Sequence, residues 1–153
     1  MNLFEGKVNP DQKKFAIILS KFNEFVCEGL LNGAREALLS NGVKEENIDL
    51  IKVPGAFEIP VTADRLALTK KYDAIICLGA VIKGETAHFE YISETCSFGI
   101  QKVALMHSLP IAFGVLTAYT VEQAIARAGS LDNNKGYEAA LAALEMSYLF
   151  KLI

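Results

Sequence analysis

The sequence predicts an α/β domain in which four parallel strands form one doubly wound sheet with helices on both faces. Three observations predict it. Short, continuous apolar runs recur along the 153 residues, as strands buried on both faces require. Segments with apolar residues at helical spacing separate them. Their order, β-α-β-α-β-α-β-α-α, joined by right-handed crossovers, forces the strands parallel and covers the sheet twice.

Residues 1–8 alternate weakly and lead into a polar hinge from Asn9 to Lys14. A strand here would be an arm added to a neighbour's sheet, and a loose terminus is the plain alternative. The chain therefore divides into an arm and hinge, 1–13, and an α/β core, 14–153, within one domain. Phe15-Ala16-Ile17-Ile18-Leu19 is the first buried strand. From Glu24 to Asn41, Val26, Leu30, Leu31, Ala34, Ala37 and Leu38 share a helical face, and Asn41-Gly42 is the stop. Residues 48–53 form the second strand, ended by Pro54-Gly55-Ala56. A helix then spans Phe57 to Lys70, with Pro60 tolerated in its first turn.

The third strand is Ala74-Ile75-Ile76-Cys77-Leu78. Gly79 and Gly84 punctuate the turn after it, and a helix runs from about Ala87 to His107 with Tyr91, Ile92, Thr95, Phe98, Val103 and Met106 on its apolar side. Gly99 inside that helix costs about 1 kcal/mol against alanine, so close packing is expected there. Residues 111–116 are the fourth strand. Thr120-Val121-Glu122-Gln123 reads as a capping box opening a helix to Ala128, closed by Gly129, and the last helix runs from Gly136 to about Phe150.

Composition narrows the function. With 52% hydrophobic and 22% charged residues, the chain leaves apolar surface for burial between subunits, which favours a homo-oligomer. A net charge of −3 and the lack of a cationic run argue against nucleic acid. Cys27, Cys77 and Cys96 are far apart and read as reduced packing residues. No histidine or cysteine spacing suits a metal. No apolar run reaches the about 18 residues of a membrane span and no leader pattern is legible, so a cytoplasmic location is expected.

In sheets of this kind ligands sit outside the carboxyl ends of the strands. Those ends carry Phe22-Asn23, Pro54 to Glu58, Val81 to His88, and Leu116-Thr117. The strand-turn-helix from Leu78 to His88 suits an anion, with free backbone N–H groups expected around Gly84 to Thr86. In the first helical turn the dipole disfavours a cationic imidazole, which leaves His88 ready to take up a proton. Taken singly, Phe22 and Phe113 would be core aromatics, Arg127 and Lys135 surface charges, and His107 a favourable helix-end charge.

Together these residues carry a resemblance. Phe22-Asn23, Val53-Pro54-Gly55-Ala56-Phe57-Glu58-Ile59-Pro60, Leu78-Gly79-Ala80-Val81-Ile82-Lys83-Gly84, Thr86-Ala87-His88-Phe89-Glu90-Tyr91, Phe113-Gly114-Val115-Leu116-Thr117, Arg127-Ala128-Gly129 and Asn134-Lys135-Gly136 resemble the lumazine synthase family, in order along the chain. The resemblance implies a flavodoxin-like fold and a condensation of 5-amino-6-(D-ribitylamino)uracil with 3,4-dihydroxy-2-butanone 4-phosphate, losing phosphate and water, without metal or organic cofactor. It implies that Phe22 stacks on the pyrimidine, that Ala56, Phe57 and Glu58 hold the ribityl chain, and that Val81 and Ile82 meet the ring through their backbone. It further implies that Glu85, Thr86 and Arg127 hold the phosphate, that Lys83 is among the substrate-binding residues, and that His88 shuttles protons. Phe113, Arg127 and Lys135 would reach the site from the neighbouring subunit of a pentamer-based assembly, some members of the family forming sixty-subunit icosahedral shells. An association with riboflavin synthase is among the partners it allows.

Three departures from the family pattern stand out. Lys83 replaces a frequent arginine, Tyr119 replaces a small or acidic residue, and Ser130-Leu131-Asp132-Asn133 lacks a common lysine. Two other readings compete: an archaeal-type riboflavin synthase, and a non-catalytic flavin-binding shell. A phosphoacceptor signalling domain would need an aspartate ending the third strand, where Leu78-Gly79 stand instead.

Overall fold

The computed structural model describes residues 1–153. Its elements are β1 (Phe15–Ser20), α1 (Glu24–Ser40), β2 (Ile48–Val53), α2 (Ile59–Leu68), β3 (Ala74–Ile82), α3 (His88–His107), β4 (Ile111–Ala118), α4 (Val121–Ala126) and α5 (Lys135–Leu152). The strands form one parallel sheet in the order β2-β1-β3-β4, which is the doubly wound class expected from the alternation.

Both faces of the sheet are covered because side chains alternate along each strand. Phe15, Ile17 and Leu19 of β1 and Ile76 and Leu78 of β3 join Leu30, Leu38 and Leu144 of α1 and α5 in one core. Ala16, Ile18, Ile75 and Cys77 turn the other way, onto Ile59 of α2 and Cys96, Ile100 and Val103 of α3. Every residue of β1 is buried, as is all of β3 except Ile82. Burial pushes the Cys96 thiol up to about 11 and raises that of Cys77 further.

Helices α1 and α5 approach so closely that Gly33 and Gly136 have no room for a side chain. A Cβ on Gly136 would collide with the Leu30 carbonyl, and one on Gly33 with the Asn134 amide. Asn134, 0% exposed, holds this junction. Its Oδ1 accepts from the Gly136 and Tyr137 N–H groups at 2.9 and 3.1 Å, capping α5. Its Nδ2 donates to the carbonyls of Gly29 and Ala128, both at 3.0 Å, and of Gly129 at 3.2 Å.

Several expectations need correction. β3 does not end at Leu78 but runs through Gly79 to Ile82. Gly79 is a packing residue: a Cβ there would stand 3.3 Å from Ser20 Cβ and 3.5 Å from Val115 Cγ1. On α3 the core-facing residues are Cys96, Ile100 and Val103, whereas Tyr91, Phe98 and Met106 are exposed. The expected apolar side thus merges two faces. Gly99 does meet close packing, since a Cβ would lie 2.9 Å from the Pro60 ring. A 3-10 turn, Ala56–Glu58, precedes α2, and α4 stops at Ala126 rather than Ala128. Its cap is half the expected box. Thr120 Oγ1 accepts from Gln123 N–H at 3.2 Å, but Gln123 Oε1 accepts from Tyr119 N–H at 3.0 Å, one residue before the cap.

Residues 1–8 form no strand within the chain. The hinge after them is pinned rather than open: Asp11 pairs with Lys151 at 2.7 Å, and Lys14 N–H donates to Asp73 at 2.8 Å. Lys13, 1% exposed, lies 5.3 Å over the Tyr148 ring, and its burial lowers the ammonium pKa. His107 does more than end a helix, pairing with Asp64 of α2 at 2.7 Å.

Replacing Asn134 by alanine removes the α5 cap and the bonds that tie it to the carbonyls of Gly29, Ala128 and Gly129, so Asn134→Ala is expected to destabilise the fold by about 3 kcal/mol. Urea unfolding reads this directly; a loss below about 0.5 kcal/mol, the size of an ordinary surface change, contradicts the assigned role.

Candidate active site

The sheet order reverses between β1 and β3, and a cleft of about 300 Å³ opens there at the carboxyl ends of the strands. Phe22, Asn23, Pro54 to Glu58, Ala80 to Ile82, His88 and Ile92 line it. Its floor follows from unequal strand lengths. The β1–β3 register ends at Leu19↔Leu78, whereas β3 pairs with β4 as far as Ile82↔Ala118. Residues 80–82 therefore have a partner strand on one side only. Asn23 Nδ2 takes the Ala80 carbonyl on the open side at 2.8 Å. Strand alternation turns the N–H and C=O of Ile82 to that same side, where they can meet a planar ligand edge to edge.

The walls are aromatic and carboxylic. Phe22 is 72% exposed and Phe57 59%, so neither is the core aromatic that its residue type would suggest. Phe22 is presented by a tight turn. Asn23 adopts the left-handed conformation, φ 58 and ψ 52, and Cys27 Sγ donates to the Phe22 carbonyl at 3.2 Å. Burial pushes the Cys27 thiol up to about 11, so it stays protonated and able to donate at neutral pH. Glu58 sits half-buried at the end of the 3-10 turn, with Oε2 3.3 Å from where a Gly55 Cβ would be. Glycine at 55 leaves that carboxylate its room.

His88 begins α3 and is exposed at the cleft with Ile92 one turn on. Helix α3 starts later than expected, so Gly84 to Thr86 lie in the preceding loop, and the amides of its first turn left without a partner are those of Phe89 and Glu90. Thr86 Oγ1 accepts from the His88 N–H at 3.4 Å. Lys83, Glu85 and Thr86 are exposed on this loop and line neither this cleft nor the next one described. The Lys83 ammonium turns instead to Glu90, at 3.8 Å, and to the Tyr119 ring.

Phe113, Arg127 and Lys135 lie elsewhere, around a second cleft of about 380 Å³ between β4 and α5. Arg127 donates to the Gln123 carbonyl at 3.0 Å and makes no ion pair, while Lys135 pairs with Glu138 at 2.7 Å. One chain thus brings together Phe22, Ala56, Phe57, Glu58, Val81, Ile82 and His88, and keeps the cationic residues apart from them. Asn23 and Ile92 were legible only indirectly: Asn23 as an asparagine at a strand-helix turn, which tolerates left-handed backbone, and Ile92 as the residue at i+4 from His88. Each histidine, cysteine and carboxylate stands outside any group of three that could hold a metal ion.

This sheet, with an aromatic and carboxylate-lined cleft at its reversal point, defines an α/β protein of flavodoxin-like topology whose cleft has the lining that suits a small planar molecule. Comparison with known proteins identifies the family. Residues 12–151 match the family model described as 6,7-dimethyl-8-ribityllumazine synthase. The 6,7-dimethyl-8-ribityllumazine synthases of two Clostridium kluyveri strains are each 49% identical to the chain over 151 residues, covering 99% of it and 98% of the relative. The chain belongs to the 6,7-dimethyl-8-ribityllumazine synthase family.

The turn that presents Phe22 can be tested. Asn23→Ala loses the bond to Ala80 and keeps a Cβ in left-handed backbone without the polar side chain that tolerates it, an expected cost of about 2 kcal/mol. Asn23→Gly loses only the bond and is expected to cost about half of that. Equal losses in urea unfolding contradict the conformational part of the account.

Proposed function

We propose that the chain condenses 5-amino-6-(D-ribitylamino)uracil with 3,4-dihydroxy-2-butanone 4-phosphate to 6,7-dimethyl-8-ribityllumazine, releasing phosphate and water, in riboflavin biosynthesis. The observation that carries this reading is the convergence of an exposed aromatic, Phe22, the open edge of β3, Glu58 and His88 on one cleft, in a chain of this family. Phe22 stacks on the pyrimidine. The backbone of Ile82, beside the Val81 side chain, meets the ring edge, and Ala56, Phe57 and Glu58 hold the ribityl chain, Glu58 accepting from its hydroxyls. His88 moves protons during imine formation, phosphate elimination, tautomerisation and ring closure.

This cleft holds no cation, and a leaving phosphate needs one. Arg127, unpaired on its own chain, meets that need if a second copy docks its β4–α5 side over the first cleft, bringing Phe113 and Lys135 with it; Glu85, Thr86 and the first amides of α3 then complete the anion site. Lys83 flanks it. The exposed side chains of Phe25, Val61, Phe98, Leu105 and Met106 supply apolar surface for such contacts. A closed ring of five copies gives every chain one such site, with larger shells built from the rings. No helix is long and apolar enough to cross a membrane, and we assign the reaction to the cytoplasm. Association with riboflavin synthase, which would consume the product, fits the same reading.

Mixing the purified protein with both substrates is expected to give lumazine fluorescence and inorganic phosphate in step. Arg127→Ala loses most of the rate, and His88→Ala falls by about 10²-fold, the usual size of a general acid–base contribution. Conversion of the lumazine alone to riboflavin favours the riboflavin synthase reading; binding of the lumazine with no conversion of any substrate leaves a flavin-binding shell.

A further inference from the structure

Lys83 and Tyr119, two of the departures from the family pattern, touch one another. Lys83 Nζ lies 5.6 Å from the Tyr119 ring centroid. The same ring packs on Phe89, centroids 6.0 Å apart and planes tilted by 42°. Lys83 opens the loop that ends at His88, and Phe89 follows it, so one aromatic side chain grips the backbone on both sides of His88's approach.

Little else braces this loop. Residues 83–88 are all exposed, and a Cβ on Gly84 would meet nothing within 4 Å. The cap of α3, Ala87, offers no side-chain bond, and the first helical bond, Tyr91 N–H to the Ala87 carbonyl, is long at 3.4 Å. Sheet pairing reaches only to Lys83, whose N–H donates to the Ala118 carbonyl at 2.9 Å. Tyr119, by contrast, is anchored through its backbone N–H to Gln123, the residue whose own N–H caps α4 on Thr120.

We infer that Tyr119 is a positioning residue, whose ring latches Lys83 and Phe89 and so fixes the loop that sets His88 over the cleft. The inference rests on the reading of His88 as the proton-moving group. The latch uses the ring face and edge, a cation–π contact and an aromatic pair; the Tyr119 hydroxyl makes no hydrogen bond within the chain. Phenylalanine can therefore replace tyrosine, and alanine cannot. A misplaced proton donor slows the chemical steps and leaves ground-state binding in the cleft largely intact, so kcat falls while KM for the ribitylaminouracil holds.

Two measurements on the assembled protein test this, for wild type, Tyr119→Ala, Tyr119→Phe and Lys83→Met. Hydrogen exchange of amides 84–90 is expected to speed up about tenfold in Tyr119→Ala, less in Lys83→Met and not in Tyr119→Phe, with α1 and α5 amides unchanged as the control for folding. Steady-state kinetics are expected to show kcat down about tenfold in Tyr119→Ala at near-constant KM and restored in Tyr119→Phe. Unchanged exchange in a folded Tyr119→Ala protein, a loss confined to KM, or a Tyr119→Phe protein as impaired as Tyr119→Ala overturns the inference. A wild-type protein without condensation activity overturns the proposed function instead, and the exchange result still decides whether the latch exists.

Discussion

The burial of β3 on both faces is the constraint from which the rest follows. A strand with no wet face needs sheet partners for its backbone groups and helices above and below for its side chains. β1 and β4 supply the first, and α1, α5, α2 and α3 supply the second. Right-handed crossovers then deliver every strand-to-helix loop to one end of the sheet. There β3 outruns β1, and residues 80–82, with a partner strand on one side only, floor the cleft, the Ala80 carbonyl taken by Asn23 and the Ile82 groups left open. Site and core are two consequences of one strand.

The chemistry divides between two surfaces. The first cleft offers aromatic faces, a carboxylate, an imidazole and backbone edges, which suit a planar heterocycle with a polyhydroxyl tail. The second offers Arg127 and Lys135, which suit an anion. Arg127 is held by a carbonyl of its own helix and leaves most of its guanidinium donors free. Phe22, Phe57 and Phe113 keep large apolar surfaces in water in the single chain, an arrangement that a second copy laid across both clefts relieves. The proposed active site is therefore a property of the assembly.

Much of the fold was legible because periodicity and punctuation agreed. The run at 15–19 and the stop at Asn41-Gly42 mark elements whose local sequence and burial point the same way, whereas 48–53 is a strand of which only Val53 is buried. The readings that failed did so where one residue type serves two purposes. Gly79 was read as a turn because glycine usually is one, but here it makes room for Ser20 and Val115 inside a strand. Helix α3 carries apolar residues on a core face and on an exposed face, so its periodicity could not say which face the core takes. Most of the cleft was legible, since its residues cluster at strand ends and match a family pattern. Asn134, though quoted in that pattern, hides its role in the sequence: its five bonds reach three separate segments. Tyr119 reveals its partners only when the loop at 83 folds beside β4.

The central claim, that the site is completed by a second copy, is tested most directly by mixing subunits. His88→Ala and Arg127→Ala proteins, each nearly inactive, are unfolded together and reassembled. If His88 and Arg127 of one site come from different chains, random assortment restores about a quarter of the sites, because each such site takes its intact histidine from one variant and its intact arginine from the other. Activity rising well above that of either variant reassembled alone is the predicted result. A mixture no more active than the two variants apart means that both residues serve from the same chain, and contradicts the account.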